Sequence, residues 1–251
     1  MEDLSQASLE DVEEFFRTYY TPDNAVLSIA GDLEIADVRK LVDEYFGPIP
    51  RGGGKPPLDN MALPPTFGTT LRKLVEDDVN LPRLYLAFRS PVFGSDEYYA
   101  ASVCGAVLGM RRGSRLYRSL VRERETAADA SAFTFDLAKG ADLLVADVTA
   151  RPETSAERLE EEVEAEVDRL HFEGVTAEEV ERAVALIETD MITALQSASD
   201  RADKLSMFAT LLGDAGLVNI QADRYRSVTA QQVSDFAADR LGSDNRAKLL
   251  Y

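Results

Sequence analysis

A helix–turn–strand pattern occurs twice in this chain, once near each end, and this repeat constrains the fold more than any other feature. Residues Thr229–Tyr251 can be laid on Ser8–Ala30 without gaps. In each copy a capping residue precedes an amphipathic helix, an Asp-Asn turn follows, and a short apolar strand ends the unit. The equivalent positions are Ser8 and Thr229, Val12 and Val233, Phe15 and Phe236, and Asp23-Asn24 and Asp244-Asn245. The repeat predicts two related domains, although two unrelated units could also look alike by chance.

The two copies lie at different distances from the beginning of a domain. The second copy ends a stretch of roughly 185 residues, an ordinary domain length, whereas only seven residues precede the first copy. We therefore expect a C-terminal remnant of a first domain at residues 1–50, a linker at 51–66 and a complete second domain at 67–251. The linker is indicated by Arg51–Pro65, where three consecutive glycines and two proline pairs disfavour regular structure.

Strand-like segments precede a run of helices in residues 67–251. The predicted strands are Thr69–Val75, Arg83–Phe88, Ala130–Leu137, Leu143–Thr149 and Ala247–Tyr251, the third and fourth joined across Lys139-Gly140-Ala141. The predicted helices begin near Ser95, Ser114, Thr154, Thr176, Asp200 and Thr229. The predicted remnant contains a helix after Ser8, a strand at Ala25–Ala30 and a helix at Ile35–Phe46. This order predicts an α+β fold: a two-layer domain with a largely antiparallel sheet covered by helices on one face, preceded by a helix–strand–helix remnant of a similar domain.

The charge of the chain limits its partners. The formal net charge is −18, from 45 acidic and 27 basic residues. Such a surface repels nucleic-acid phosphates and anionic headgroups, so we expect no nucleic-acid partner. The longest apolar runs are too short for membrane insertion. The Glu-rich run Glu157–Glu166 predicts a solvated helix face, and Cys104, the only cysteine, is expected in the core. The compartment stays open, with the bacterial cytoplasm or periplasm expected.

Short motifs follow one another along nearly the whole chain. They are Phe15–Leu27 (FFRTYYTPDNAVL) with Ala30-Gly31-Asp32, Tyr45–Pro50 (YFGPIP), Leu108-Gly109 with Ser114–Tyr117 (SRLY), and Gly174–Glu179 (GVTAEE). In this order and spacing they resemble the insulinase/pitrilysin family of zinc metallopeptidases, and especially its shorter members related to the mitochondrial processing peptidase.

The resemblance implies two similar α+β domains that face each other across a chamber enclosing peptides. The first domain carries a His-x-x-Glu-His motif, in which two histidines bind zinc and the glutamate activates water. This chain has a single histidine, His171, so it cannot form the motif. We expect no catalytic residue, metal site or cofactor in this chain, zinc in the missing first domain of the parent protein, and a capping or packing role for His171 at a helix C-terminus.

Arg122 and Asp129 are the candidate substrate-binding residues that the resemblance implies. The family has an arginine at the end of a helix and a tyrosine seven residues later, at the beginning of a strand. Arg122 matches the arginine, whereas Asp129 occupies the tyrosine position. An aspartate offers no phenolic donor and its charge opposes developing negative charge, so either the domain is a degenerate partner or the register is shifted. Arg122 could also be an exposed charge without a binding role.

The expected function is the C-terminal, non-catalytic portion of such a peptidase, inactive alone, with unfolded or extended peptides as ligands. Its partner would be the zinc-bearing first domain or a separate catalytic subunit. The alternative is a non-enzymatic scaffold or partner subunit of the same fold, either a pseudopeptidase or a protein similar to the core subunits of the respiratory bc complex. Apolar surface on the remnant should contact the second domain or another copy of the chain, as a homo-oligomer.

Overall fold

The computed structural model describes residues 6–56, 63–135, 140 and 142–251. The chain divides into two compact units. One contains the described residues of Met1–Asn60 together with Ile192–Ile220, and the other contains those of Met61–Met191 together with Gln221–Tyr251. Among the described residues, no helix is both long enough and apolar enough to cross a bilayer.

The first unit is helical. It contains α1 (Leu9–Tyr19), a 3₁₀ turn (Pro22–Asn24), α2 (Ile35–Tyr45), α6 (Ala198–Leu211) and a 3₁₀ segment (Ala215–Ile220). The Ser8 hydroxyl accepts a bond from the Asp11 backbone N–H and the Asp11 carboxylate accepts one from the Ser8 N–H, so the predicted capping box is confirmed. Asp23, in the turn, accepts backbone N–H bonds from Gly52 and Gly54 at 3.1 and 2.8 Å.

The predicted strand at Ala25–Ala30 does not form. Ala25 has extended dihedral angles, but the segment belongs to no sheet of the described residues. An isolated extended segment is not a stable strand, because its backbone donors and acceptors need a neighbouring strand. The absence of a paired neighbour among the described residues explains the wrong prediction.

The two repeat helices coincide in their bounds. The gap-free alignment places Leu9–Tyr19 on Ala230–Arg240, and these are the observed limits of α1 and α8, eleven residues each. Thr229 and Gln232 form the second capping box at the equivalent position. Both copies therefore begin with the same local hydrogen bonds, as the repeat predicts.

The second unit contains a five-stranded sheet with strand order β1-β5-β2-β4-β3. The strands are β1 (Thr69–Leu74), β2 (Arg83–Arg89), β3 (Ala127–Phe135), β4 (Leu143–Ala150) and β5 (Asn245–Leu250). Only β1 and β5 pair in parallel, and all other neighbours are antiparallel. β3 begins three residues earlier than predicted, and Leu137 and most of its predicted turn lie outside the described residues. β1 and β3 are the two edges.

The helices of this unit cover one face of the sheet. They are α3 (Asp96–Gly109), a π-helix (Tyr117–Glu123), α4 (Ala156–Glu173), α5 (Ala177–Ala194), which continues into the first unit, α7 (Gln221–Arg226) and α8 (Ala230–Arg240). Along β2, Leu84, Leu86 and Phe88 are fully buried beneath the helices, while Tyr85 and Ala87 on the opposite face are half-buried. This alternation confirms the predicted α+β fold with helices on one face.

Two sequence predictions about α4 are wrong. Its N-cap is Ser155 and not Thr154, since the Ser155 hydroxyl accepts the Arg158 N–H at 3.2 Å. The Glu-rich run is also not uniformly solvated, because Glu160 is buried between Arg72 of β1 and Lys248 of β5 at 2.9 and 2.7 Å. Burial of a carboxylate requires such paired charges, and strands distant in sequence supply them here.

Candidate functional site

Arg122 lies on the π-helix, a wider helical turn than the α-helix that the sequence predicts there. Its side chain is exposed, and it has no hydrogen bond or ion pair with any residue that the structure describes. π-helical turns are rare and often occur at functional sites. The geometry leaves the guanidinium free for a ligand.

Asp129 lies on the edge strand β3, where it pairs with Thr149 of β4. The strand register shifts between Ala127 and Asp129, and such a bulge changes the direction of a side chain. Glu125, just before the strand, has a left-handed φ of 54°. Asp129 is exposed beside this irregular connection.

A groove of about 670 Å³ runs beside the first residues of β3. It is lined by Gly109, Arg111, Arg112, Gly113, Tyr117, Asp129, Ala130, Ser131, Arg182 and Leu186. We call it the β3 groove. It contains Asp129 but is not lined by Arg122, so the two candidates are not brought together in it. Tyr117 brings a phenol to the groove in which Asp129 replaces the expected tyrosine.

Sequence reasoning missed the three arginines of the β3 groove. Arg111 and Arg112 follow Met110, the C-cap of α3, and Arg111 adopts a left-handed φ of 61°. Arg182 is contributed by α5, about seventy residues later in the chain. The sequence shows Arg111 and Arg112 next to each other near a helix end, but no sequence pattern predicts that they lie beside β3.

Arg115 and Glu179 connect two of the motifs that carry the family resemblance. Arg115 donates to both carboxylate oxygens of Glu179 at 2.7 and 2.8 Å, and also to the Gly174 carbonyl at 2.8 Å. Glu179 completes the predicted capping interaction with Thr176. Burial by itself raises the pKa of Glu179, but the bonds from Arg115 and Thr176 outweigh it and lower that pKa to about 2. These motif residues therefore hold α5 in place.

Replacing Glu179 with glutamine should lower the free energy of unfolding at pH 7 by about 1.5–3 kcal/mol, because charge-assisted hydrogen bonds are lost. The folded-state pKa is depressed, so this stabilisation is present above the ordinary value of 4.5 and is lost as the pH falls from there toward 2. Urea unfolding followed at pH 7 and pH 3 measures the difference. Glu178→Gln is the control, since Glu178 is 88% exposed and lies 3.8 Å from Arg182. Equal effects of the two variants would contradict the prediction.

The peptidase M16 inactive domain family model matches residues 6–187 of this chain. The chain belongs to this family. The match confirms the resemblance to the insulinase family, to which its motifs pointed. The matched range of this M16 inactive domain contains the motifs near Phe15, Tyr45, Ser114 and Gly174, on which the resemblance rests.

Similar proteins include a zinc protease, a protease of known structure and a chain of complex III. Zinc protease PqqE from Helicobacter pylori is 26% identical over 222 residues, which cover 88% of this chain and 50% of that protein. The crystal structure of a protease from Helicobacter pylori has a TM-score of 0.86 and 22% identity over 100% of this chain and 60% of that one. A chain of complex III from Candida albicans has a TM-score of 0.76 and 13% identity, covering 99% of this chain and 60% of its own length. This M16 inactive domain chain thus spans about half the length of the curated relative.

The described residues of this M16 inactive domain do not fit a zinc site. They contain no group of three or more His, Cys, Asp or Glu side chains arranged to hold a metal. His171 lies in the last turn of α4 with Nδ1 2.9 Å from the Ala237 carbonyl, which can only accept, so Nδ1 carries the proton. His171 therefore fixes α4 to α8. Cys104 is fully buried, and burial raises its pKa to about 12, so the thiol stays protonated and unreactive.

Proposed function

We propose that this chain is the non-catalytic portion of an insulinase-type zinc metallopeptidase and forms one wall of a chamber that holds extended peptides. In this proposal residues 1–50 belong to the first domain, 51–66 are a linker and 67–251 are the second domain. The chain supplies no zinc ligand, and it does not hydrolyse peptides by itself. The single observation that carries the proposal is the sheet of the second unit, which is covered on one face and open on the other.

The open face of the sheet has the character of a peptide-contacting wall. Tyr85, Ala87 and Val145 are half-buried at its centre, and Phe133 is 44% exposed toward the β3 edge. An Arg83–Asp147 ion pair crosses β2 and β4 on the same face, with Nη2 2.5 Å from Oδ2. An apolar surface with a few polar groups can contact peptide side chains of varied type. An edge strand offers backbone hydrogen bonds that do not depend on the sequence of the peptide.

The first unit carries apolar surface that a partner domain would cover. Phe15 and Phe16 of α1 are 51% and 52% exposed, and Tyr45 of α2 is 66% exposed. Neither α1 nor α2 has a buried residue. Exposed apolar area on this scale is typical of an interface. We assign it to the remainder of the zinc-bearing first domain or to a separate catalytic subunit.

Arg122 and Asp129 remain proposed substrate contacts. The exposed Arg122 guanidinium can donate to peptide carbonyls or carboxylates. Asp129 can only accept while it is ionised, so it would select a peptide N–H or a basic side chain. Neither residue is assigned a bond-breaking role.

A non-enzymatic scaffold of the same fold is the second candidate. The observation that favours it is Asp129 at the tyrosine position, together with the structural likeness to a chain of complex III. In that case the partner of the apolar surface would also lack the zinc motif.

Purification of the native protein with an antibody against this chain tests the proposal. We expect a His-x-x-Glu-His sequence in the same polypeptide or in a tightly bound subunit, with about one zinc ion per copy. Peptide hydrolysis by this material should be abolished by a chelator. The isolated 251-residue chain should retain no stoichiometric zinc and show no turnover. Chelator-sensitive turnover by the isolated chain would overturn the proposal, and native material without the motif would establish the scaffold.

A further inference from the structure

The β3 groove has a charge opposite to that of the whole chain. The chain has a formal net charge of −18, yet the groove is lined by Arg111, Arg112 and Arg182 against one acid, Asp129. The lining therefore carries a formal charge of +2, from three positive groups and one negative. Asp190 and Glu178, which pair with Arg111 and Arg182 from outside the lining, offset this charge until a ligand carboxylate replaces them, so the positive lining favours an anionic ligand that displaces these two acids.

The arginines of the groove are available to a ligand. Arg112 is exposed and has no hydrogen bond or ion pair with any described residue. Arg111 pairs with Asp190, with both side chains about half exposed (57% and 43%), and Arg182 lies 3.8 Å from Glu178, which is 88% exposed. Exposed ion pairs of this kind are weak, so a ligand carboxylate can replace them.

The shape of the groove indicates an extended ligand. One wall is Asp129–Ser131 of β3, an edge of the sheet with no strand beyond it among the described residues. The opposite wall includes Arg182 and Leu186 of α5, and Arg111 and Arg112 lie at the end of α3. A peptide lying along the edge strand would pass these side chains, and a guanidinium binds carboxylates through paired, parallel hydrogen bonds.

We propose that the β3 groove selects extended peptides that carry two or more aspartate or glutamate side chains. The acidic side chains contact Arg111, Arg112 and Arg182, while the peptide segment next to Asp129 is neutral or basic. This assignment rests on the proposed function, because it specifies the class of peptide that the chamber holds.

Fluorescence anisotropy with labelled peptides of about twelve residues tests this selectivity. One peptide carries three glutamates, and its matched partner carries glutamine at the same positions. At about 0.15 M salt the Debye length is about 8 Å, so distant negative charges are screened while contacts in the groove remain. We expect the glutamate peptide to bind about tenfold or more tightly than the glutamine peptide.

Single arginine variants assign the effect to the groove. Arg112→Gln and Arg182→Gln should each weaken binding of the glutamate peptide about three- to fivefold and leave the glutamine peptide nearly unchanged. Arg158→Gln is the matched control, because Arg158, like Arg182, is an exposed helical arginine that pairs with a glutamate four residues away, and it lies outside the groove. Far-UV circular dichroism and thermal midpoints verify that every variant is folded.

The outcomes separate this inference from the proposed function. Equal affinity for the two peptides, or groove variants that behave like Arg158→Gln, would overturn the selectivity and leave the peptidase assignment standing. Binding of neither peptide would also overturn it. Native material that lacks the zinc motif but shows the glutamate preference and its loss in the variants would overturn the peptidase assignment alone.

Discussion

Replacing Phe88 with alanine is expected to lower the free energy of unfolding by about 3–5 kcal/mol. Phe88 is fully buried on β2, where its neighbour across the sheet is Leu144 of β4. Removing the ring takes away its transfer free energy and leaves a cavity, because close-packed strands and helices relax only partly. Urea unfolding followed by far-UV circular dichroism measures the loss, since the chain has no tryptophan for fluorescence.

Phe135→Ala is the control for this prediction. Phe135 is 50% exposed at the end of the edge strand β3, so its truncation should cost about 1 kcal/mol or less. Similar losses for Phe88→Ala and Phe135→Ala would contradict the assignment of β2 to the centre of the core.

Replacing Gly109 with alanine should destabilise the second unit by about 1–3 kcal/mol or more. A Cβ atom at this position would lie 1.9 Å from the Ala132 nitrogen and 2.4 Å from the Ser131 carbonyl carbon. Both of those atoms belong to the β3 backbone, so the end of α3 and the strand would have to separate. Because Gly109 also lines the β3 groove, peptide selectivity should decrease in the same variant.

Gly105→Ala in the same helix is a close control. Its added Cβ would meet the Leu144 Cδ1 at 3.5 Å, an ordinary contact. Alanine is favoured over glycine within a helix by up to about 1 kcal/mol, so this variant should be as stable as the unsubstituted chain or more stable. Destabilisation of both variants to the same degree would show that the close approach at Gly109 is not the cause.

The sequence predicted best those features that depend on neighbouring residues. The capping boxes at Ser8 and Thr229 form as expected, because each needs only hydrogen bonds between residues three apart. The order of strands and helices correctly predicted a sheet with one covered face, and the alternating burial along β2 shows which face it is. The predicted N-cap of α4 was wrong by one residue. Thr154 and Ser155 are adjacent and both residue types can cap a helix, but Ser155 is the N-cap.

The candidate site was only partly visible in the sequence. Arg122 and Asp129 are candidates only because the family resemblance implies an arginine and a tyrosine at these two positions, and their role remains a prediction. The sequence did not predict the arginine cluster of the β3 groove, because Arg182 belongs to a different helix from the one that Arg111 and Arg112 follow. Spacing along the chain cannot show which side chains meet when the contact joins distant elements.

By itself the sequence determined the capped helices, the alternating strands, the absence of a second histidine and the order of motifs that indicated the family. Each of these depends on interactions within a few residues or on composition. Only the tertiary structure decided that residues 25–30 pair with no other described segment, that Glu160 is buried between two strands, and that Arg115 binds Glu179. The physical reason is that strand pairing and burial of charge depend on partners far along the chain, which folding alone brings within hydrogen-bonding distance.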